Sequence, residues 1–315
     1  MLTALAGGVG AARMLRGLAG AIDPAEITAV VNTGDDVVLH GLHISPDLDT
    51  VTYTLAGAIN TETGWGLSGE TWTAMDALAA YGSGELAWFR LGDRDLGTHL
   101  FRTSRLAAGA TLSQVTAEIT TRWGLTVGLL PMSDDRVETR VTLADGPEIG
   151  FQEYFVGRRH SVAVSGVRFV GANTARPAPG VLDAIRSADV VVICPSNPVV
   201  SIGPLLAVPG IRDAIVARRR DTVAISPIIA GAALKGPADR MMAELGLEPS
   251  VVGVARMYRD LAATLVIDDA DAELAGDVRR TGMDCVVTPT VMKGLQEAVA
   301  LARTVLGSAG RVSQR

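Results

Sequence analysis

The chain has 315 residues, 48% of them hydrophobic, and a formal charge of −6 from 28 Lys and Arg against 34 Asp and Glu. That apolar content serves one large domain or a core with a sizeable insertion, and the acidic balance excludes a basic surface tracking nucleic-acid phosphates. No uninterrupted apolar run reaches the roughly 20 residues that a membrane span needs.

The N-terminal MLTALAGGVGAARML has the composition of a short signal peptide, but it has no basic leading region and glycines interrupt it at once. A buried first strand and a cytoplasmic location are expected. Strand-like runs then alternate with helical patterns, which predicts βα units around a parallel sheet. MLTALA and ITAVVN are the first two strands, with a helix over 11–21 between them. Residues 70–150 read differently. AMDALAAYG and TLSQVTAEITTRWG are helical, and RVETRVTLADG is a short hairpin turning near Asp145 and Gly146. The stretch is expected to be a mostly helical insertion or cap on a single Rossmann-like domain.

Beyond it, helices are predicted over 180–188, 204–218, 237–245 and 291–306. Strands are predicted at ADVVVIC, TVAISP, the VVG after Ser250, LVIDD and MDCVVT. Their solid hydrophobicity fits strands buried on both faces. The triplet at 218–220, three arginines, suits a helix C-terminus, where cations complement the dipole. Cys194 and Cys285 sit inside apolar runs and read as small buried hydrophobes. The tail GSAGRVSQR is expected to be disordered.

Polar loops at the strand ends carry the candidate chemistry. AGGVGAARML turns from strand to helix, where glycines let backbone N–H groups approach a phosphate. Gly8 and Gly10 begin a dinucleotide fingerprint, but Arg13 stands at its third glycine position, which weakens a nicotinamide-dinucleotide reading and suits a phosphate or carboxylate. VVNTGDD supplies Asn32, Thr33, Asp35 and Asp36 at the end of the second strand.

SPDLDT follows. In an extended segment Asp47 and Asp49 point to one side and make a hard-oxygen site for Mg²⁺. In a helix they diverge, and one serves the N-terminus. WFRLGDRDLGTH brings Trp88 and Phe89 for a flat-ring pocket, with Arg90 and Arg94 for anionic groups. His40, His43 and His99 have no zinc-hydrolase spacing. Ser196, Asn197 and Ser201 after one strand, and Lys235 with Gly236 after another, add capping or phosphate-contacting groups.

Taken in order, AGGVGAARML, VNTGDD, ISPDLDT, WFRLGDRDLGTH, PMSDD, FQEYFV, NTARPAPGVLDAI, CPSNPVVSIGP and SPIIAGAALKGPADRMM resemble the 2-phospho-L-lactate transferase family of coenzyme F420 biosynthesis. The resemblance runs from residue 2 to beyond 290. It implies a Rossmann-like fold, Mg²⁺ dependence and a homodimer. It also implies transfer of a phospho-acid from a GDP-linked donor to the ribityl hydroxyl of the deazaflavin Fo, with release of GMP, a partner guanylyltransferase supplying the donor. On this resemblance Gly8, Gly10, Arg13, Asn32 and Thr33 serve the donor's diphosphate and ribose. Ser196, Asn197, Lys235 and Gly236 add phosphate and guanine contacts. Asp49 orients the Fo hydroxyl, with Arg90 and Trp88 in the deazaflavin pocket. Asp47, Asp35 and Asp36 are metal ligands or their support. Pro289, in TPT, departs from the Asp expected there.

A second class of function is a YvcK-type nucleotide-sugar-binding regulator, which shares the glycine loop and the Asn-containing turn. LGDRDLGTH and FQEYFV favour the transferase, because a regulator has no evident need of an Fo pocket.

Overall fold

Four apolar residues and Thr3 form β1 (Leu2–Ala6), and every one is buried, the Thr3 hydroxyl donating to the Ala184 carbonyl (2.8 Å). No polar face alternates along this strand because helices cover both sides of its sheet. The computed structural model describes residues 1–82 and 88–312. After β1 come α1 (Gly8–Ala19), β2 (Ile27–Val31), the paired β3 (Val37–Leu39) and β4 (Leu42–Ile44), and α2 (Pro46–Leu55). Three helices follow, α3 (Thr73–Ala79), α4 (Asp93–Ala107) and α5 (Leu112–Arg122), and then β5 (Gly128–Pro131). β6 (Glu138–Leu143), β7 (Glu148–Gly150) and β8 (Val164–Val170) form a separate antiparallel sheet.

The C-terminal half begins with α6 (Val181–Ser187), β9 (Val190–Ile193), α7 (Gly203–Ala207), α8 (Ile211–Ala217) and β10 (Thr222–Ile225). Two short strands, β11 (Ile228–Ile229) and β12 (Ala232–Ala233), precede α9 (Ala238–Glu244) and α10 (Val251–Tyr258). β13 (Thr264–Ile267), α11 (Ala275–Arg280), β14 (Asp284–Val287) and α12 (Leu295–Val312) complete the described chain.

Seven strands make one parallel sheet in the order β14-β13-β10-β9-β1-β2-β5. Alternate side chains bury to opposite faces. Leu5, Val30, Ile193 and Ala224 pack with α6, α8 and α10, whereas Ala4, Val31, Val192 and Ile225 pack with α1 and α12. This is the expected Rossmann-like arrangement. The strand order steps outward in both directions from β1, so it reverses between β1 and β9. The crevice above the carboxyl ends at such a reversal is where open α/β sheets take ligands.

Four local expectations are corrected. Residues 251–253 are not a strand but the first turn of α10, because the Ser250 hydroxyl accepts hydrogen bonds from the Val252 and Gly253 N–H groups. A short apolar run cannot distinguish a buried strand from a buried helix, and the cap decides it. The helix expected over 204–218 is two, bent by 97° at a break holding Pro209, which has no N–H to donate, and Gly210, at φ +88°. Residues 307–312 of the expected disordered tail belong to α12, while 313–315 lie outside the described residues. Within 70–150, α3 to α5 are helical, but β5 pairs with β2 in the central sheet. The hairpin expected at 136–146 forms as β6 and β7, and β8 adds to it. Among the described residues no single helix is long and apolar enough to cross a membrane.

Candidate active site

The chain leaves β1 through Gly7 and enters α1 at Gly8, whose φ of +74° suits glycine. The Gly7 N–H donates to Ser196 Oγ (3.2 Å) and the Gly8 N–H to Asp47 Oδ1 (2.8 Å). The loop is thus tied to the segments after β9 and before α2. Gly10 has no room for a side chain, since a Cβ there would lie 2.4 Å from the Pro195 carbonyl oxygen. Gly7 at the N-cap has no side chain to cap α1, and with the Gly8 N–H taken by Asp47 the Val9 and Gly10 N–H groups at its positive end face the cavity for an anion.

SPDLDT is helical, with Pro46 at the first position of α2, and its two carboxylates diverge. Asp47 accepts from Gly8 and from Asn32 Nδ2 (2.9 Å), and Asn32 Oδ1 accepts from the Gly34 N–H (2.9 Å). Asn32 and Thr33 are buried and do not line the cavity; Asn32 acts by holding Asp47. Burial pushes the Asp47 carboxyl up to about 6, against the hydrogen bonds from Asn32 and Gly8. Burial, and then the neighbouring Asp47, push Asp35 well above the usual carboxylate range. Asp35 Oδ1 is buried without a hydrogen-bond partner among the described residues.

Asp49 faces α4. Both of its oxygens meet the Arg102 guanidinium, Oδ2 at 3.1 Å from Nη1 and Oδ1 against Nη2. His99 Nδ1 lies 3.3 Å from Arg102 Nη1, and its Nε2 lies 3.3 Å from Asp95 Oδ2. The Tyr53 hydroxyl donates to Asp95 Oδ1 (2.5 Å). Burial opposes the Asp95 charge, but His99, Tyr53 and Arg102 outweigh it and hold the carboxyl below its ordinary value. Asp95, His99 and Arg102 share one face of α4 by helical spacing.

Asp35, Asp47, Asp49, Tyr53, Asp95 and His99 line a cavity of about 260 Å³. Its wall brings together Gly8, Gly10, Asp35, Asp47, Asp49, Arg90, Ser196, Asn197, Lys235 and Gly236 from the sequence-based set. Lys235 Nζ donates to the Thr63 carbonyl (3.0 Å), and burial, followed by the nearby Arg13, lowers its pKa. Arg13 does not line the cavity and donates to the Met292 carbonyl (3.3 Å). Asn197 Oδ1 accepts from the Val199 and Val200 N–H groups. Trp88 and Asp36 line a second cavity of about 200 Å³, so Trp88 does not share a pocket with Arg90. Arg90 pairs with Asp76 (2.5 Å) and stands over the Trp72 ring. Asp35, Phe151 and Gln152 line both cavities.

Two sets of residues invite a divalent cation. Asp35 and Asp47 are buried carboxylates, Asp47 adds to the cost of ionising Asp35, and one Asp35 oxygen has no partner among the described residues, a set that fits a hard cation such as Mg²⁺. Asp36 is held by the Ser45 hydroxyl (2.6 Å) and stands beside that pair. Asp49, Asp95 and His99 bring ligand atoms within 4.8 Å of one another. That set does not fit, because the Arg102 guanidinium already meets both Asp49 oxygens and repels a cation.

Sequence reading missed Arg102, Tyr53 and the role of His99. The signal was present: Asp95, His99 and Arg102 recur at helical spacing, a pattern that normally marks a solvated face but here marks a buried one. Pro289 follows β14, the strand at the edge of the sheet beyond β13, and does not line the cavity. Its neighbour Thr290 donates through N–H and Oγ1 to Asp268 Oδ2 (2.7 and 2.9 Å).

The model of the family described as 2-phospho-L-lactate transferase CofD matches residues 2–302. The chain is 48% identical over 316 residues to a phosphoenolpyruvate transferase of Kitasatospora aureofaciens, covering 99% of this chain and 98% of that one. It is 50% identical to that of Streptomyces griseus, covering 99% of both chains, and 42% identical to that of Mycolicibacterium smegmatis, covering 98% of both. A crystal structure of a UPF0052 family protein from Bacillus halodurans shares the fold, with a TM-score of 0.62 and 18% identity over 97% of this chain and 98% of that one. The regulator reading is not favoured by these relatives. The chain belongs to the 2-phospho-L-lactate transferase CofD family and is an enzyme that transfers a phospho-acid moiety.

Proposed function

We propose that the protein moves a phosphoenolpyruvate-derived group from a GDP-linked donor to the ribityl hydroxyl of Fo, forming dehydro-F420-0 and releasing GMP. The enolpyruvyl form of the donor, rather than the 2-phospho-L-lactate form, is preferred because the relatives at 42–50% identity are phosphoenolpyruvate transferases. The reading rests on one observation. A single cavity carries an anion-binding wall of Val9, Gly10, Ser196 and Lys235, and also Tyr53, Phe89 and Phe155 as aromatic walls, with Asp49 held rigidly among them.

In this reading the α1 N-terminus and Lys235 hold the diphosphate. Asp49 accepts a hydrogen bond from the Fo hydroxyl and orients its oxygen toward the phosphorus beside the acid. The oxygen–phosphorus bond forms as the bond to GMP breaks, GMP leaves with the electron pair, and the hydroxyl proton is released. Such a transfer depends on positioning and charge neutralisation and needs no nucleophilic side chain. Mg²⁺ held by Asp35 and Asp47, with Asp36 behind them, supplies charge neutralisation when bound. Arg90 lines the Fo end. The protein is proposed to act in the cytoplasm as a homodimer, fed by a guanylyltransferase.

Incubation with Fo, GTP, Mg²⁺, the guanylyltransferase and phosphoenolpyruvate, 2-phospho-L-lactate or phosphoglycerate in turn tests this through product mass. Dehydro-F420-0 from phosphoenolpyruvate is the expected result. Preference for another acid corrects the donor, and saturable UDP-sugar binding without any transfer to Fo overturns the reading.

A further inference from the structure

The segment 60–66, NTETGWG, folds into a small closed loop at the mouth of the cavity. Asn60 Oδ1 accepts from the Glu62 N–H (3.0 Å), the Gly64 N–H donates to the Asn60 carbonyl (2.8 Å), and the Asn60 N–H donates to the Gly66 carbonyl (2.9 Å). Thr63 Oγ1 donates to the Trp65 carbonyl (2.6 Å), and Lys235 ties the loop to the opposite wall through the Thr63 carbonyl. Gly64 abuts the phosphate loop, since a Cβ on it would come within 3.1 Å of Val9 Cγ1.

All these bonds present one large side chain. Trp65 is 50% exposed, yet it lines the cavity. Among the described residues Trp72 has a guanidinium over its ring, Trp88 meets Phe89, and Trp123 meets Tyr53 and Arg122. Trp65 has no such partner there. An indole carried on a loop that the fold holds in place at a cavity mouth, half exposed and with no ring or guanidinium against it among the described residues, has the chemistry of a stacking platform.

We propose that Trp65 is a substrate-binding residue whose indole stacks on a flat heteroaromatic ring. Guanine of the donor and deazaflavin of the acceptor share that chemistry, and the inference rests on the functional reading above. Stacking of a base on an aromatic side chain has an effect on affinity of about 5- to 150-fold by alanine substitution.

The test is calorimetric titration of the full chain, wild type, W65A and W65F, with GDP and separately with Fo. Melting temperature and tryptophan fluorescence are followed in parallel. W65A is expected to bind one of the two ligands about 5- to 150-fold more weakly, with an unchanged melting temperature. W65F is expected to recover most of that affinity, and the ligand that weakens identifies the ring. Quenching of wild-type fluorescence by the same ligand, reduced in W65F, accompanies it. Both dissociation constants unchanged within about twofold in W65A would overturn the inference and leave the transferase reading intact. Equal weakening for both ligands with a lowered melting temperature marks a structural role and overturns it too. Failure of wild type to bind either ligand defeats the transferase reading, and the stacking role falls with it.

Discussion

Arg102 grips both carboxylate oxygens of Asp49 in a setting almost closed to solvent, with 2% of Arg102 and 5% of Asp49 exposed. Burial opposes the Arg102 charge, but Asp49 more than restores it and raises the guanidinium above its usual pKa. A buried ion pair contributes little beyond an apolar pair of similar volume, yet removing one partner strands a charge at a cost of about 3–5 kcal/mol. Arg102→Met is therefore expected to lose that much stability in urea unfolding and most of its turnover. GDP affinity should stay near wild type, because Arg102 does not line the cavity. The double variant with Asp49→Asn should recover part of the stability and none of the turnover. Asp49→Asn alone should also melt lower, since Arg102 keeps its buried charge.

The buried carboxylates give stability a definite pH dependence. Asp47 titrates at about 6 in the fold against 3.8 for an ordinary aspartate. Between these values the native state binds more protons than the unfolded chain, so stability falls as pH rises through the window. The loss is complete above about pH 6 and amounts to about 3 kcal/mol from Asp47. Asp35 and Asp36, also raised by burial, act in the same direction. Mg²⁺ is expected to raise the melting temperature at pH 7.5 and to have little effect at pH 5. Asp35→Asn should abolish the increment. A melting temperature indifferent to Mg²⁺ at pH 7.5 would remove Asp35 and Asp47 as ligands.

Among the described residues Lys235 makes a single hydrogen bond, to an exposed carbonyl. Its loss costs the fold little but removes a cation from the wall proposed to bind the diphosphate. Lys235→Ala is expected to weaken GDP by about 10- to 100-fold, the range of a charge-assisted hydrogen bond. Its melting temperature should stay close to wild type. Calorimetry at fixed ionic strength reads the first, a thermal melt the second. Unchanged GDP affinity would take Lys235 out of the phosphate site.

Gly10→Ala places a methyl 2.4 Å from the Pro195 carbonyl oxygen, so backbone must move. Overpacking of this kind costs about 1–3 kcal/mol. The displaced loop should lose GDP binding beyond what the stability change explains. Wild-type melting and GDP affinity together would show that the two loops are not in contact.

Much of the architecture is legible from local pattern. Predominantly apolar runs such as ITAVV and TVAI, each with a single threonine, have no alternating hydrophilic face to offer water, so they predict strands covered on both sides, and β2 and β10 are that. The misread run at 251–253 is equally apolar; its helix depends on one serine capping two backbone N–H groups. Likewise a proline and a glycine at 209 and 210 outweigh the helical periodicity on either side of them.

The residue types at the site were set by the sequence alone: glycines where the backbone must turn tightly against Pro195, carboxylates and a lysine in loops at strand ends, and an apolar core that places those loops at one sheet edge. Which of those side chains share a cavity was decided only by the tertiary structure. Asn32 is close in sequence to Asp35 but is fully buried behind Asp47, and Trp88 turns to a different cavity from Arg90, two residues away. Arg102 lies 53 residues from the aspartate it holds. A pairing across that separation leaves no local periodicity to read, because it exists only once α2 and α4 have packed together and excluded water from both charges.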